Sequence, residues 1–213
     1  MVKTEAFENH ALEYDRWFER HKIEYAQELK AIRSFLPKER DGIEIGAGTG
    51  RFAGPLDISL GIEPSEAMRG IASDRGVNVI AALAESLPVA EGLFDYALLV
   101  TTVCFLDSPE SAFLEVHRIL KENGFIIVGI IDRNSNLGKK YEKNKSESKF
   151  YIDAKFFSVE EIKSKLKRTG FTNFEYVQAI LPGDIDNSLG PMIKPGYGEG
   201  SFVVLRAQKD TGT

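Results

Sequence analysis

A chain of 213 residues, 43% hydrophobic and 28% charged, is long enough for one full domain and barely for a second, and its ordinary composition excludes disordered, collagen-like and fibrous classes. Twenty-seven Lys and Arg against 32 Asp and Glu leave a formal charge of −5, which argues against nucleic acid or an anionic membrane as partner. The single cysteine, Cys104, can form neither an intrachain disulfide nor a cysteine-based zinc site, no apolar stretch follows Met1-Val2-Lys3, and no run nears a membrane span, so a cytoplasmic protein is expected.

In chain order, Tyr14, Trp17, Phe18, Tyr25, Leu29 and Ile32 recur at spacings that place them on one side of a single long amphipathic helix ending before Pro37. From Gly42 short apolar runs alternate with helix signals, the signature of βα units and a mainly parallel sheet. The candidate strands are 42–45, 60–63, 77–84, 94–103 and 124–131. Ser65 is placed to cap a helix with Met68, Ile71 and Ala72 on one face, and Ser108-Pro109 starts another carrying Phe113, Val116 and Leu120. Gly76 and Gly124 mark their ends. The basic run Lys139 to Lys149, interleaved with Glu142 and Glu147, reads as a solvated loop. Ser158-Val159-Glu160-Glu161 has capping-box spacing, and its helix continues through Ile162 and Leu166 to Gly170. Two strands remain, 171–180 and 201–207, joined by a loop rich in Gly and Pro and so paired as an antiparallel hairpin.

The sharpest motif is Glu44-Ile45-Gly46-Ala47-Gly48-Thr49-Gly50, directly after a short apolar strand and ahead of a possible helix containing Phe52. Glycines there open φ angles closed to other residues and remove the Cβ atoms that would keep a ligand off the backbone. A dinucleotide site wants its third glycine at position 51, where this chain has Arg, so a nicotinamide-dependent reductase is a weaker reading. Glu63 ends the second strand, 17 residues after Gly46, where a carboxylate can accept from both hydroxyls of a ribose or simply face solvent.

Together these residues resemble the class I S-adenosylmethionine-dependent methyltransferases, in particular the group with small-molecule acceptors related to quinone-biosynthesis enzymes. The resemblance covers roughly residues 14–209. Its parts are the turn at 44–50, Gly61-Ile62-Glu63-Pro64-Ser65 with Met68, Ala84-Glu85-Ser86-Leu87-Pro88, Phe94-Asp95, and Glu115-Val116-His117-Arg118-Ile119-Leu120-Lys121 ahead of Gly124. It implies one α/β domain over 1–213: a doubly wound Rossmann-like sheet of seven strands in the order 3-2-1-4-5-7-6, with strand 7 antiparallel. It implies S-adenosylmethionine as cofactor, S-adenosylhomocysteine as product, a small-molecule methyl acceptor and no metal. By the same resemblance Gly46, Ala47 and Gly48 pass the methionine part along the backbone, and Glu44 helps hold its ammonium group. Glu63 takes the ribose hydroxyls, Pro64 and Met68 flank the adenine, Ala84, Glu85 and Ser86 meet its other edge, and Thr101 lies beneath the methionine end. Where nucleic-acid amino methyltransferases of this fold carry an Asn/Asp-Pro-Pro-aromatic tetrad, this chain has Thr101-Thr102-Val103-Cys104, which disfavours that subclass. Cys104 reads as a packed thiol ahead of a nucleophile, and His10, His21 and His117 are too scattered to suggest a metal site.

Ligands of open α/β sheets bind outside the carboxyl ends of the parallel strands. Three segments are expected to reach that edge: the N-terminal helix, about 8–36, as a lid; the insertion at about 132–157; and the loop 181–200. Their aromatic residues Tyr14, Trp17, Phe18, Tyr141, Phe150, Tyr151 and Tyr197 suit an apolar or planar acceptor, while core packing accounts equally well for Trp17 and Phe18. An alternative to the enzyme is a non-catalytic S-adenosylmethionine-binding module that offers the acceptor face to a protein partner.

Overall fold

The computed structural model describes residues 4–38, 40–184 and 192–210. In place of one N-terminal helix there are two, α1 (Glu5–Arg20) and α2 (Lys22–Arg33). They part at His21, whose backbone leaves the helical range (φ −117°, ψ 50°) and whose ring stacks on Trp17 at 4.4 Å. The break lets α2 pack on the sheet while the start of α1 reaches its carboxyl edge, which one straight helix cannot do.

The alternating pattern then produces β1 (Gly42–Ile45), β2 (Leu60–Ile62), α3 (Glu66–Asp74), β3 (Asn78–Ile80), β4 (Phe94–Val100), α4 (Pro109–Ile119) and β5 (Leu120–Ile131). Serines start the helices as expected: the hydroxyl of Ser65 accepts from the Met68 N–H at 3.2 Å, and that of Ser108 from Ser111 N–H at 3.2 Å with Pro109 in the first turn. The third and fourth strands and α4 are shorter than their sequence patterns, and β2 ends one residue early, at Ile62. The third strand stops at Ile80 because 81–86 turns away to wall a cavity, and the fourth stops at Val100 because Thr101 takes a positive φ of 50°. Helix α4 ends at Ile119 ahead of Gly124, and β5 begins at once, with a register irregularity opposite Phe94 to Tyr96 and Asn123 at φ 61°. Between β1 and β2 the segment around Phe52 forms successive turns instead of a regular helix. The basic run is largely helical as well: α5 (Asn136–Asn144) is capped by Ser135, which accepts from Gly138 N–H at 3.0 Å. After it come α6 (Val159–Arg168), with both halves of its capping box made, β6 (Phe171–Ile180), β7 (Met192–Pro195) and β8 (Phe202–Lys209).

The sheet has eight strands in the order β3-β2-β1-β4-β5-β8-β6-β7. The expected seven keep their order. The eighth is β7, inside the loop read as strandless, and it pairs antiparallel with β6. Two strands, β7 and β8, therefore run against the rest, where one was expected. The long β6 leaves an edge open, half-buried Ile193 packs against the core beneath α2, and Pro195 lies on the outermost strand, where a missing N–H costs no ladder bond. Part of that loop, 185–191, lies outside the described residues.

Side chains on alternate positions of β4 serve two cores. Ala97 and Leu99 face α4 and α6 with Phe113, Val116 and Leu166, whereas Tyr96, Leu98 and Val100 face α1, α2 and the turns at Phe52 with Phe18 and Ile32. Among the described residues no helix is long and apolar enough to cross a membrane.

Candidate active site

Loops leaving β1, β2, β3 and β4 wall one cavity of about 440 Å³, within the ~300–1,000 Å³ of small-molecule pockets. The glycine turn forms its floor. Gly46 and Ala47 donate their N–H groups to the Ile62 carbonyl at 2.7 and 2.9 Å, which pins the turn to β2. Gly46 has φ +74° and a Cβ on it would lie 2.4 Å from Thr102 Cγ2, so a side chain is excluded by the protein itself. Gly48, at φ +54°, differs: a Cβ there meets nothing within 4 Å, so the space it leaves is open to the cavity it lines.

Glu63 follows β2 and is 7% exposed. Its Oε2 accepts the Gly48 N–H and its Oε1 the Ser65 N–H, both at 2.9 Å, and Arg69 braces the segment by donating to the Glu63 and Pro64 carbonyls at 3.0 and 2.7 Å. Burial outweighs these bonds and raises its pKa. Each oxygen keeps further acceptor capacity, and Glu63, Pro64 and Met68 line one end of the cavity. Ala84 and Glu85 line it from the loop after β3. Glu85 also accepts from the N–H groups of Asp107 (3.0 Å) and Ser108 (3.3 Å), closing that loop against the start of α4. Thr101, a β-branched residue at positive φ, lines the other end; such strain persists only where the surroundings impose it.

Helix α1 spans the opening and is tied down at two places. The carboxylate of Glu8 accepts from the Ser65 hydroxyl at 2.6 Å and the Ala67 N–H at 3.2 Å, and so meets the first turn of α3. Asp15, 7% exposed, accepts from Arg51 at 2.6 and 2.8 Å and from Arg75 at 2.6 Å. Burial raises the Asp15 pKa, but the bonds from Arg51 and Arg75 prevail and hold it well below the usual carboxylate range. Arg75 in turn donates to the Thr49 carbonyl, and Tyr25 donates its hydroxyl to the Arg51 carbonyl. Arg51, the residue that breaks the dinucleotide pattern, is thus the strut between α1 and the glycine turn.

Of the residues singled out in the sequence, Gly46, Gly48, Glu63, Pro64, Met68, Ala84, Glu85, Thr101 and Tyr14 share this cavity. Glu44, Ala47 and Ser86 are not on its wall. Glu44 points into the core, 1% exposed, where burial raises its pKa and the Ala53 N–H bonds it; Ala47 packs toward Gly61, and Ser86 faces solvent. Trp17 and Phe18 pack with His21, Tyr25 and Phe52 away from the cavity, and Tyr197 lies against Tyr176 with its hydroxyl on Glu160. Tyr151 lines a separate cavity of about 20 Å³ with Thr101 and Cys104, whose thiol donates to the Thr101 carbonyl at 3.2 Å. Phe7, Thr102, Phe105, Asp107 and Ser111 line the main cavity without having been singled out. Only Phe7 carried a sequence signal, seven residues before Tyr14 on the same helical face. Among the described residues no group of three or more His, Cys, Asp and Glu is close enough to hold a metal.

An open α/β sheet with a glycine turn, an acidic residue after its second strand and a cavity over its carboxyl edge defines a nucleoside-cofactor-binding protein. Comparison with known proteins narrows the class. A family model described as a methyltransferase domain matches residues 43–128. A solved structure from Thermotoga maritima, described as a SAM-dependent methyltransferase, possible histamine N-methyltransferase, superposes with a TM-score of 0.92 at 49% identity, covering 98% of this chain and 100% of that one. An uncharacterised protein of Methanocaldococcus jannaschii is 45% identical over 203 residues, 95% of this chain and 98% of its own length, and an uncharacterised methyltransferase of Alkaliphilus oremlandii is 29% identical over 190 residues, covering 84% and 79%. The chain belongs to the class I S-adenosylmethionine-dependent methyltransferases.

Proposed function

We propose that this protein transfers a methyl group from S-adenosylmethionine to a small-molecule acceptor by direct in-line displacement. The observation that carries the reading is one cavity with two chemically different ends: carboxylate, proline and methionine at Glu63, Pro64 and Met68, and aromatic rings at Phe7, Tyr14 and Phe105 beneath α1. The residues present fit the cofactor. Glu63 has acceptor capacity for a ribose diol, Met68 and Pro64 offer apolar surface to a base, and the Cβ-free space over Gly48 leaves room for the methionine part. When bound, the cofactor supplies a methyl group on positively charged sulfur, already activated toward a nucleophile. What the chain contributes is orientation: Thr101 and the rings hold an acceptor at the methyl end, and α1, proposed as the lid, excludes water.

The acceptor half is read separately, because the resemblance to quinone-biosynthesis enzymes rests on Glu44–Gly50, Gly61–Ser65 with Met68, Ala84–Pro88, Phe94-Asp95 and Glu115–Lys121, none of which supplies the rings of Phe7, Tyr14 and Phe105. The description of the Thermotoga relative as a possible histamine N-methyltransferase supports nitrogen as the methylated atom. Trp17 and Phe18 support the lid by packing its C-terminal half against His21, Tyr25 and Phe52. A cytoplasmic setting is part of the same proposal, on the single cysteine. The test is calorimetric titration with S-adenosylhomocysteine and with NAD, followed by methyl transfer to a panel of amines and phenols. Binding of S-adenosylhomocysteine with turnover on the panel is expected. Preferential NAD binding sinks the reading, and cofactor binding without turnover on any acceptor favours the non-catalytic module.

A further inference from the structure

The two cavities follow the strand order along the carboxyl edge of the sheet. In the order β2-β1-β4-β5, Glu63 leaves β2, Gly46 and Gly48 leave β1, Thr101 leaves β4, and all of them line the main cavity. One strand further on, Ile130 and Ile131 at the end of β5 line the small cavity of about 20 Å³ with Cys104, Tyr151 and Phe157. Thr101 lines both cavities and is the partition between them. It is held there at its strained φ of 50°: its N–H donates to the Gly129 carbonyl at 2.8 Å, and its own carbonyl accepts the Cys104 thiol at 3.2 Å.

Tyr151 borders the small cavity from the insertion. Its ring stacks on Phe105 (centroids 6.1 Å apart, planes 12° apart) and on Tyr141 (5.0 Å, 26°), and Phe156 tilts against it at 5.6 Å. Backbone bonds fix the segment around it: the Tyr151 N–H donates to the Ser148 hydroxyl at 3.1 Å and the Lys155 N–H to the Cys104 carbonyl at 2.8 Å. The ring is therefore placed, yet no hydrogen bond from a described residue reaches its hydroxyl, whose proton is held on by burial. A hydroxyl withdrawn from solvent and left unpaired is costly, so its partner is sought in the space the ring borders. That space has room for one group of about the size of a water. Phe105, against which Tyr151 stacks, lines the main cavity with Phe7, whose ring meets it at 4.9 Å and 85°. The small cavity thus lies one stacked ring away from the acceptor end.

We propose that the two cavities form one acceptor site, in which a planar acceptor lies against Phe7 and Phe105 and passes a single hydroxyl or amino substituent beyond Thr101 to a hydrogen bond with the Tyr151 hydroxyl. The inference rests on the acceptor site proposed above and names its substrate class: a small aromatic molecule with a compact polar group at the end away from the reacting atom. Tyr151 determines the chemistry of that group, Thr101 and the small volume behind it determine its size, and the insertion 132–157 is the element that brings Tyr151 to the edge.

The test titrates tyramine and phenethylamine, which differ by one ring hydroxyl, into the protein saturated with S-adenosylhomocysteine, with 4-methoxyphenethylamine as the match whose substituent is too large. Tyramine is expected to bind about three- to tenfold tighter than phenethylamine, and the methoxy compound more weakly than either. Tyr151→Phe keeps the stacked ring and is expected to bring tyramine down to the affinity of phenethylamine, with S-adenosylhomocysteine affinity and melting temperature unchanged. Cys104→Met, which fills the small cavity from another wall, is expected to remove the same advantage and serves where Tyr151→Phe is unstable. Tyramine binding no tighter than phenethylamine makes the small cavity a water site only and overturns the proposal, as do a tyramine advantage that persists in Tyr151→Phe and a failure of all three compounds to bind. Failure of S-adenosylhomocysteine itself to bind strikes the underlying methyltransferase site instead, and is read in the first titration.

Discussion

Gly46 and Gly48 have similar backbone angles and opposite reasons for being glycine. At Gly46 the obstacle is Thr102 at 2.4 Å; at Gly48 it is nothing in the protein. Gly48→Ala is therefore expected to fold with a loss of about 1–2 kcal/mol from its left-handed backbone yet to lose S-adenosylhomocysteine binding, whereas Gly46→Ala lowers the melting temperature further; calorimetry and thermal unfolding of both variants check this. Glu63→Ala removes the carboxylate that also orders the glycine turn through Gly48 and is expected to weaken cofactor binding by about 1.5–3 kcal/mol, measured calorimetrically on the folded variant. Glu28 supplies a pH test of its own. Its folded-state pKa is raised from 4.5 to about 8, so the folded protein holds a proton that the unfolded chain gives up. Its contribution is fully present below about 4.5 and is lost as pH rises through about 8. The melting temperature of Glu28→Gln is thus expected to gain on that of the unsubstituted protein between pH 5 and 8. A constant difference across that range would show that Glu28 stays ionised.

Among the elements, α1 departs most from the alternating pattern, and its two ties differ in kind. Glu8 joins the exposed first turn of α3, while Asp15 sits between Arg51 and Arg75 in a largely buried network. Between them lies a break at His10, where φ −133° and ψ 27° interrupt the helix. The end that carries Glu8 and Phe7 can swing about that break while Asp15 holds the rest. Cofactor binding is expected to slow amide exchange over residues 5–14 more than over 15–33, and equal exchange with and without S-adenosylhomocysteine would leave α1 as static packing. Asp15→Asn is expected to destabilise the fold by more than the ~1 kcal/mol of an exposed pair and less than the ~3–5 of a fully buried one, because Arg75 remains partly exposed. Since pairing holds the Asp15 pKa low, its contribution is complete above the ordinary value of 3.8 and is lost as pH falls below it. Acid unfolding of Asp15→Asn is therefore expected to be shallower.

At the scale of the whole molecule the two cores meet across a sheet whose carboxyl edge carries the main cavity, so binding of a ligand there and global stability are linked. At about 100 times its dissociation constant a ligand specific for the folded state adds ~2.7 kcal/mol, which for a domain of this length raises the melting temperature by about 5–11 °C. S-adenosylhomocysteine is expected to produce such a shift and NAD none, read by differential scanning calorimetry. The edge strand β7 shows what escapes local patterning. Met192-Ile193-Lys194-Pro195 lacks the length and alternation of a strand, and it becomes one because β6 presents an open edge and α2 a surface for Ile193.

Legibility in the sequence followed the range of the forces involved. The glycine turn, the serine caps at Ser65, Ser108 and Ser158, the βα alternation and the Glu63 segment depend on local backbone demands and short periodicities, and the residues alone carry them. The division of α1 from α2 at His21, the inward turn of Glu44 and the packing of Trp17 and Phe18 away from the cavity depend on which distant surfaces each side chain meets. So does the strut from Asp15 through Arg51 to the glycine turn, which joins residues 36 positions apart. No spacing encodes these contacts, because they exist only once α1, α2 and the insertion close over the same edge of the sheet.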